Sequence, residues 1–109
     1  MVDNKVEVYD IETLKSLYSY IGLNIDSKAL SVFLICRYQN DLKPLVEHLN
    51  GLKGQIGYNN LSFDSQINQF ILNNYQNWDE LSGKEIAEVI YNYAQYTIDL
   101  SNRQQFSEY

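Results

Sequence analysis

Asp10 and Glu12 stand two residues apart in the segment Tyr9-Asp10-Ile11-Glu12-Thr13, within a stretch rich in β-branched and aromatic side chains. Side chains alternate along a β-strand, so the two carboxylates share one face and Ile11 points the other way, into a core. Two neighbouring acids repel each other and are costly to bury unpaired. Divalent cations relieve that cost. In phosphodiester cleavage, metals roughly 4 Å apart stabilise the attacking and leaving oxygens. Mg²⁺ or Mn²⁺ suits such a site, because both take oxygen ligands. In a chain with 14 acidic residues, however, a solvated strand end is the plainer account of a lone D-x-E.

A third carboxylate stands in Gly57-Tyr58-Asn59-Asn60-Leu61-Ser62-Phe63-Asp64, which follows a short apolar segment and opens a helical pattern. At the rim of a sheet Asp64 could join the first two acids. Its plainer role is that of a helix N-cap.

The elements that must position these residues are legible from periodicity. Lys5–Ile11, Leu17–Leu23 and Leu30–Arg37 predict three strands. The polar turn Asn24–Lys28 makes the second and third an antiparallel hairpin. Leu42, Leu45, Val46 and Leu49 form one apolar helical stripe, with Asn40 or Asp41 as its cap, Pro44 in the first turn and Asn50-Gly51 as its stop. Gln55–Tyr58 predicts a short fourth strand. Phe63, Ile67, Phe70 and Ile71 mark a second helix, and Trp78 is expected to anchor the loop after it. Ser82 and Glu85 form a capping box, with Leu81 and Ile86 as a hydrophobic staple. Ile86, Val89, Ile90 and Tyr93 mark the buried face of the last helix. After Asp99 the polar run is expected to fray. The order βββαβαα predicts a mixed sheet with helices packed on it.

The pair YDIET at 9–13 and GYNNLSFD at 57–64 resembles the first and second exonuclease motifs of the DEDD superfamily, most closely the proofreading domains of family B, phage-type DNA polymerases. The second motif, N-x-x-x-F-D, is matched from Asn59 to Asp64. The resemblance implies an α/β (mixed α+β) fold of RNase H-like type, βββαβα, truncated before the last strand and helix. It implies a partial exonuclease domain over 1–100 and a polar tail over 101–109. It also implies 3′→5′ hydrolysis of the terminal phosphodiester of single-stranded DNA, with two Mg²⁺ or Mn²⁺ ions held by Asp10, Glu12 and Asp64. Thr13, Leu14, Asn59 and Phe63 would meet the DNA strand, with Leu14 as a wedge against the last base.

The family's third motif, Y-x-x-x-D or H-x-x-x-x-D, is not found near the C-terminus. Lys53 stands five residues after His48, the one histidine, and Gln95 stands four before Asp99. His48 is therefore expected to be a surface or partly packed helix residue. The missing motif leaves two readings. One is the N-terminal part of a nuclease, whose partner would be a polymerase domain or a complementing chain. The other is a catalytically incomplete binding or assembly module, with a homo-oligomer through an exposed sheet edge.

Composition bounds both readings. At 109 residues the chain holds one domain at most. Its net charge of −6 disfavours a free-standing nucleic-acid binder, because phosphate affinity comes from Lys and Arg, but suits carboxylates that work with cations bound. Cys36, the single cysteine, cannot form an internal disulfide and reads as a small buried hydrophobe. No stretch has the apolar length of a membrane span, so the expected setting is the cytoplasm of a bacterial or phage-infected cell.

Overall fold

A computed structural model describes residues 6–52, 54–57 and 61–107, with side chains described over 6–52 and 63–100. The protein is a mixed α/β structure in which an antiparallel three-strand meander, a further strand and helices share one core.

β1 (Val6–Leu14) and β2 (Leu17–Asn24) pair antiparallel from Glu7↔Asn24 to Leu14↔Leu17, so Lys15 and Ser16 alone make the turn. β3 (Leu30–Cys36) pairs antiparallel with β2, as the polar turn between them predicts. Asn24 builds that turn, its side-chain oxygen accepting the N–H groups of Asp26 and Ser27, both at 2.9 Å. α1 (Leu42–Gly51) then carries the chain across the sheet to β4 (Gly54–Gly57), which pairs parallel with β1. The strand order is β3-β2-β1-β4. α2 (Leu61–Asn74), a 3-10 turn (Tyr75–Trp78) and α3 (Gly83–Ser107) complete the chain.

Alternation places Tyr9 and Ile11 of β1, Tyr18 and Tyr20 of β2 and Ile35 of β3 on one face, all buried. The helices lay their apolar stripes on that face: Leu45, Val46 and Leu49 from α1, Ile67 and Ile71 from α2, and Ile86, Ile90 and Ala94 from α3. Phe70 of α2 stacks on Tyr93 of α3, 3.9 Å between centroids and 5° from coplanar, which fixes the two helices side by side. Trp78 is buried, as expected of a packing anchor. The opposite sheet face stays open. On it Leu30, Val32 and Ile21 are 67%, 53% and 49% exposed.

Cap chemistry decides three local details. Ser82 and Glu85 bond reciprocally, Glu85 N–H to Ser82 Oγ at 3.2 Å and Ser82 N–H to Glu85 Oε1 at 3.1 Å, so α3 starts where the capping box predicts. At α1 the side chain that meets a helix donor belongs to Asn40, which accepts the Leu42 N–H at 3.2 Å. Asp41 instead turns its carboxylate to the Leu34 N–H of β3, at 3.0 Å. α3 also runs on to Ser107 rather than fraying after Asp99. The polar 101–109 stretch contains good helix formers in Arg103, Gln104 and Gln105, and propagating a helix costs far less than nucleating one.

Candidate functional site

The site grows out of a mismatch in strand length. β4 pairs with β1 only from Val6↔Gly54 to Tyr9↔Gly57, whereas β1 continues to Leu14. From Asp10 onward, the β1 edge facing β4 has no strand partner among the described residues. Ligands of sheets with parallel strands gather outside the strands' carboxyl ends, which is where this edge lies.

Asp64 fills it. The residue sits in the first turn of α2, past the helix start at Leu61, and is only 6% exposed. It is therefore not the N-cap. Its carboxylate turns onto β1 and accepts the backbone N–H of Ile11. Its other oxygen, Oδ2, is buried with no hydrogen-bond partner among the described residues. Burial, with the charge of Asp10 second, pushes its pKa from 3.8 up to about 6; the Ile11 N–H pulls the other way without prevailing. Tyr9, on the core side, is pushed up to about 12 by its own burial and then by the charge of Asp64.

Asp10, exposed on β1, is near enough for its charge to act on the buried Asp64. Glu12 is on the Asp10 face and exposed, one further strand repeat along, about 7 Å of rise. Among the described residues no group of three His, Cys, Asp or Glu side chains is close enough to hold a metal ion, so Glu12 is not gathered with the other two. Thr13 is half-buried, and Leu14 is exposed at the strand end. Phe63 is half-buried against the core edge beside Asp64. Asn59 lies outside the described residues.

One residue not foreseen from sequence completes the surroundings, and one spacing the sequence does contain falls outside them. Asn68 stands one helical turn after Asp64 and is buried. The Tyr18 hydroxyl donates to its Oδ1 at 2.6 Å, which leaves Asn68 Nδ2 buried without a partner among the described residues. The i, i+4 spacing of Asp64 and Asn68 was the available signal, since both fall on the stripe of Ile67 and Ile71. A second feature is the one Y-x-x-x-D spacing outside the C-terminal region, Tyr75 to Asp79. It falls beyond the far end of α2 from Asp64, with roughly 15 Å of helix between them, and Asp79 is exposed, so it supplies no third carboxylate here.

No protein-family model, curated protein or solved structure matches this chain.

What bears on function is the chemistry of the residues themselves. A buried carboxylate oxygen without a partner among the described residues, under the charge of a second carboxylate, has two remedies: a proton or a cation. The donor set is all oxygen, which fits a hard divalent ion such as Mg²⁺ or Mn²⁺. No helix among the described residues is long and apolar enough to cross a membrane.

Proposed function

We propose that this chain forms the part of a DEDD-type, RNase H-like 3′→5′ exonuclease domain that carries the first two motifs, acting on single-stranded DNA 3′ ends. The observation that carries the reading is the buried Asp64 oxygen, without a partner among the described residues and under the charge of Asp10, at the carboxyl end of a parallel strand pair. The element order and the helical crossover joining β3 to β4 suit the same fold. Asp10 and Asp64 would hold the ion, and Glu12 is the next carboxylate on that face. A bound Mg²⁺ or Mn²⁺ would supply charge stabilisation at the scissile phosphate and a more acidic water. The chain's own side chains position and shield. Burial of Asp64 and its Ile11 contact fix one ligand against the sheet, while Leu14 and Phe63 offer apolar surface to terminal bases without reading sequence.

The decisive assay is Mn²⁺-dependent shortening of a 5′-labelled single-stranded oligonucleotide, by the chain alone and with a polymerase domain or complementing chain. Shortening that vanishes in Asp10→Ala supports the proposal. Shortening that survives in Asp10→Ala/Asp64→Ala sinks it.

A second reading has its own support. Among the described residues the third motif has no counterpart near Asp10, and the outer face of β2 and β3 carries large exposed apolar side chains. These features suit a catalytically incomplete module that binds or assembles, with a second copy meeting the β3 edge. An oligomer with no cleavage under the same assay favours it.

A further inference from the structure

Among the described residues, two buried side-chain polar atoms stand without a hydrogen-bond partner, Asp64 Oδ2 and Asn68 Nδ2. Other core polar groups find theirs inside the chain. Glu7, 2% exposed on the core side of β1, accepts the Tyr20 hydroxyl at 2.6 Å and meets His48 Nε2 at 2.8 Å. The two exceptions belong to neighbouring turns of α2, at i and i+4, which puts their Cβ atoms about 5–6 Å apart. Helix side chains lean toward the N-terminus, so Asn68 leans over the turn that carries Asp64.

Each side chain is tied to the sheet by its other polar atom. Asp64 accepts the Ile11 N–H of β1, and Asn68 Oδ1 accepts the Tyr18 hydroxyl of β2 at 2.6 Å. Burial holds the Tyr18 pKa well above its ordinary value, and after Tyr20 and Tyr9 the charge of Asp64 adds to this, so that hydroxyl is also near the carboxylate. The atoms left over are complementary, an acceptor and a donor, yet they are not bonded to each other.

Three groups can answer Asp64 Oδ2, and they differ at Asn68. A proton makes the oxygen a donor and leaves the amide hydrogens without an acceptor. A bare cation satisfies the oxygen but meets the positive side of the amide. A water accepts from the amide and donates to the oxygen, and two hydrogen bonds of about 2.9 Å suit an i, i+4 separation.

We propose that Asn68 is a positioning residue, holding one buried water against Asp64 Oδ2. With Ile11 on one oxygen and this water on the other, the carboxylate is fixed at both ends. A carboxylate oxygen can accept twice, so Oδ2 keeps a lone pair free. The role toward an ion rests on the proposed Mg²⁺ or Mn²⁺ site: Asn68 would orient Asp64 as a ligand without touching the ion, as hydrogen-bonded partners of ligating carboxylates do.

A crystal structure of the metal-free full chain tests the water. An ordered water within hydrogen-bond distance of both Asp64 Oδ2 and Asn68 Nδ2 is expected. A direct Asn68–Asp64 bond, or no ordered water between them, would overturn the proposal. Calorimetric titration with Mn²⁺ tests the positioning. Asn68→Leu should lower the affinity at least fivefold and Tyr18→Phe less than twofold, while Asn68→Gln, which keeps the amide, should fall nearer to wild type than Asn68→Leu. Wild-type affinity in Asn68→Leu, or equal losses in Asn68→Leu and Tyr18→Phe, would overturn the positioning role. If Asn68→Leu does not fold, an Asn68→Gln affinity below that of Tyr18→Phe does so in its place. A wild-type chain that takes up no Mn²⁺ counts against the metal-site reading, and the water seen in the crystal then decides this proposal alone.

Discussion

Asp64 accepts the backbone N–H of Ile11 at the point where β4 has ended and β1 has not. That single contact docks the start of α2 on the sheet and brings the carboxylate under the influence of Asp10. Burial at that point, which the contact only partly offsets, makes an ionised Asp64 expensive. The folded-state pKa, about 6, lies above the ordinary 3.8, so the neutral carboxyl favours the fold. This contribution is fully present below pH 4 and is lost as pH rises through 6. The metal-free protein should therefore lose stability between pH 4 and 6.5. Asp64→Asn should flatten that part of the profile and stabilise the protein at pH 7.5 by about 1–2 kcal/mol, after allowing for solvent screening at the strand end. Urea unfolding at a series of pH values reads both effects.

A cation should replace the proton as the remedy. Mn²⁺ or Mg²⁺ at millimolar concentration should raise the wild-type melting temperature at pH 7.5. The rise should vanish in Asp10→Ala and in Asp64→Asn. Any cleavage should vanish in Asp10→Ala and in Glu12→Ala, since losing a metal ligand removes transition-state charge stabilisation. Calorimetric titration beside the nuclease assay separates binding from chemistry: a Glu12→Ala variant that still binds the ion but no longer cleaves would place Glu12 with the reaction rather than with the resting site.

Much of this arrangement is legible along the chain. The period-two pattern of β1 separates Asp10 and Glu12 from Tyr9 and Ile11, and the i, i+3, i+4 stripes locate α1, α2 and the core face of α3. The same period puts Glu7 in register with the buried Tyr9. A charged residue there reads as outward until its partners are known, and His48 is 41 positions away, joined to it only by packing α1 on the sheet. Likewise, nothing local to Glu12 tells that the third acid stops beside Asp10. That depends on where β4 ends.

Gly22 exists for Glu7. Gly22→Ala should destabilise the protein by about 1–3 kcal/mol through overpacking against the buried carboxylate. Glu7→Ala alone should also cost stability, by removing the buried carboxylate that accepts the Tyr20 hydroxyl and meets His48. The double variant should be less damaged than the sum of the singles, with a coupling of about 1 kcal/mol or more, because the collision is gone. Additive effects in a chemical-denaturation cycle would show that the two side chains do not share that space.

Exposed apolar side chains on β3 bear on assembly. Leu30 and Val32 are directly opposite Leu23 and Ile21 on the open face. If that edge mediates self-association, sedimentation velocity should show concentration-dependent oligomers, and Leu30→Lys/Val32→Lys should return the chain to monomer. The double variant should change stability by no more than about 0.5 kcal/mol, as surface substitutions do. A wild-type chain that is monomeric across the micromolar range removes this face from consideration as a self-association surface.

The Tyr18–Asn68 bond offers a sharper distinction, because its two ends are unequal. Tyr18 is fully buried and donates its only hydroxyl proton to Asn68 Oδ1. Asn68 already has an unpartnered buried Nδ2. Tyr18→Phe would leave both polar atoms of the Asn68 amide unsatisfied, at a cost of about 1–3 kcal/mol. Asn68→Leu strands only the Tyr18 hydroxyl and removes an amide that was half satisfied, so it should cost less. Tyr18→Phe/Asn68→Leu strands nothing and should be the most stable of the three variants. If the amide also orients water beside Asp64, Asn68→Leu should lower the Mn²⁺ affinity while Tyr18→Phe leaves most of it. Equal losses of affinity in the two variants would mean that the pair acts on the site only through packing.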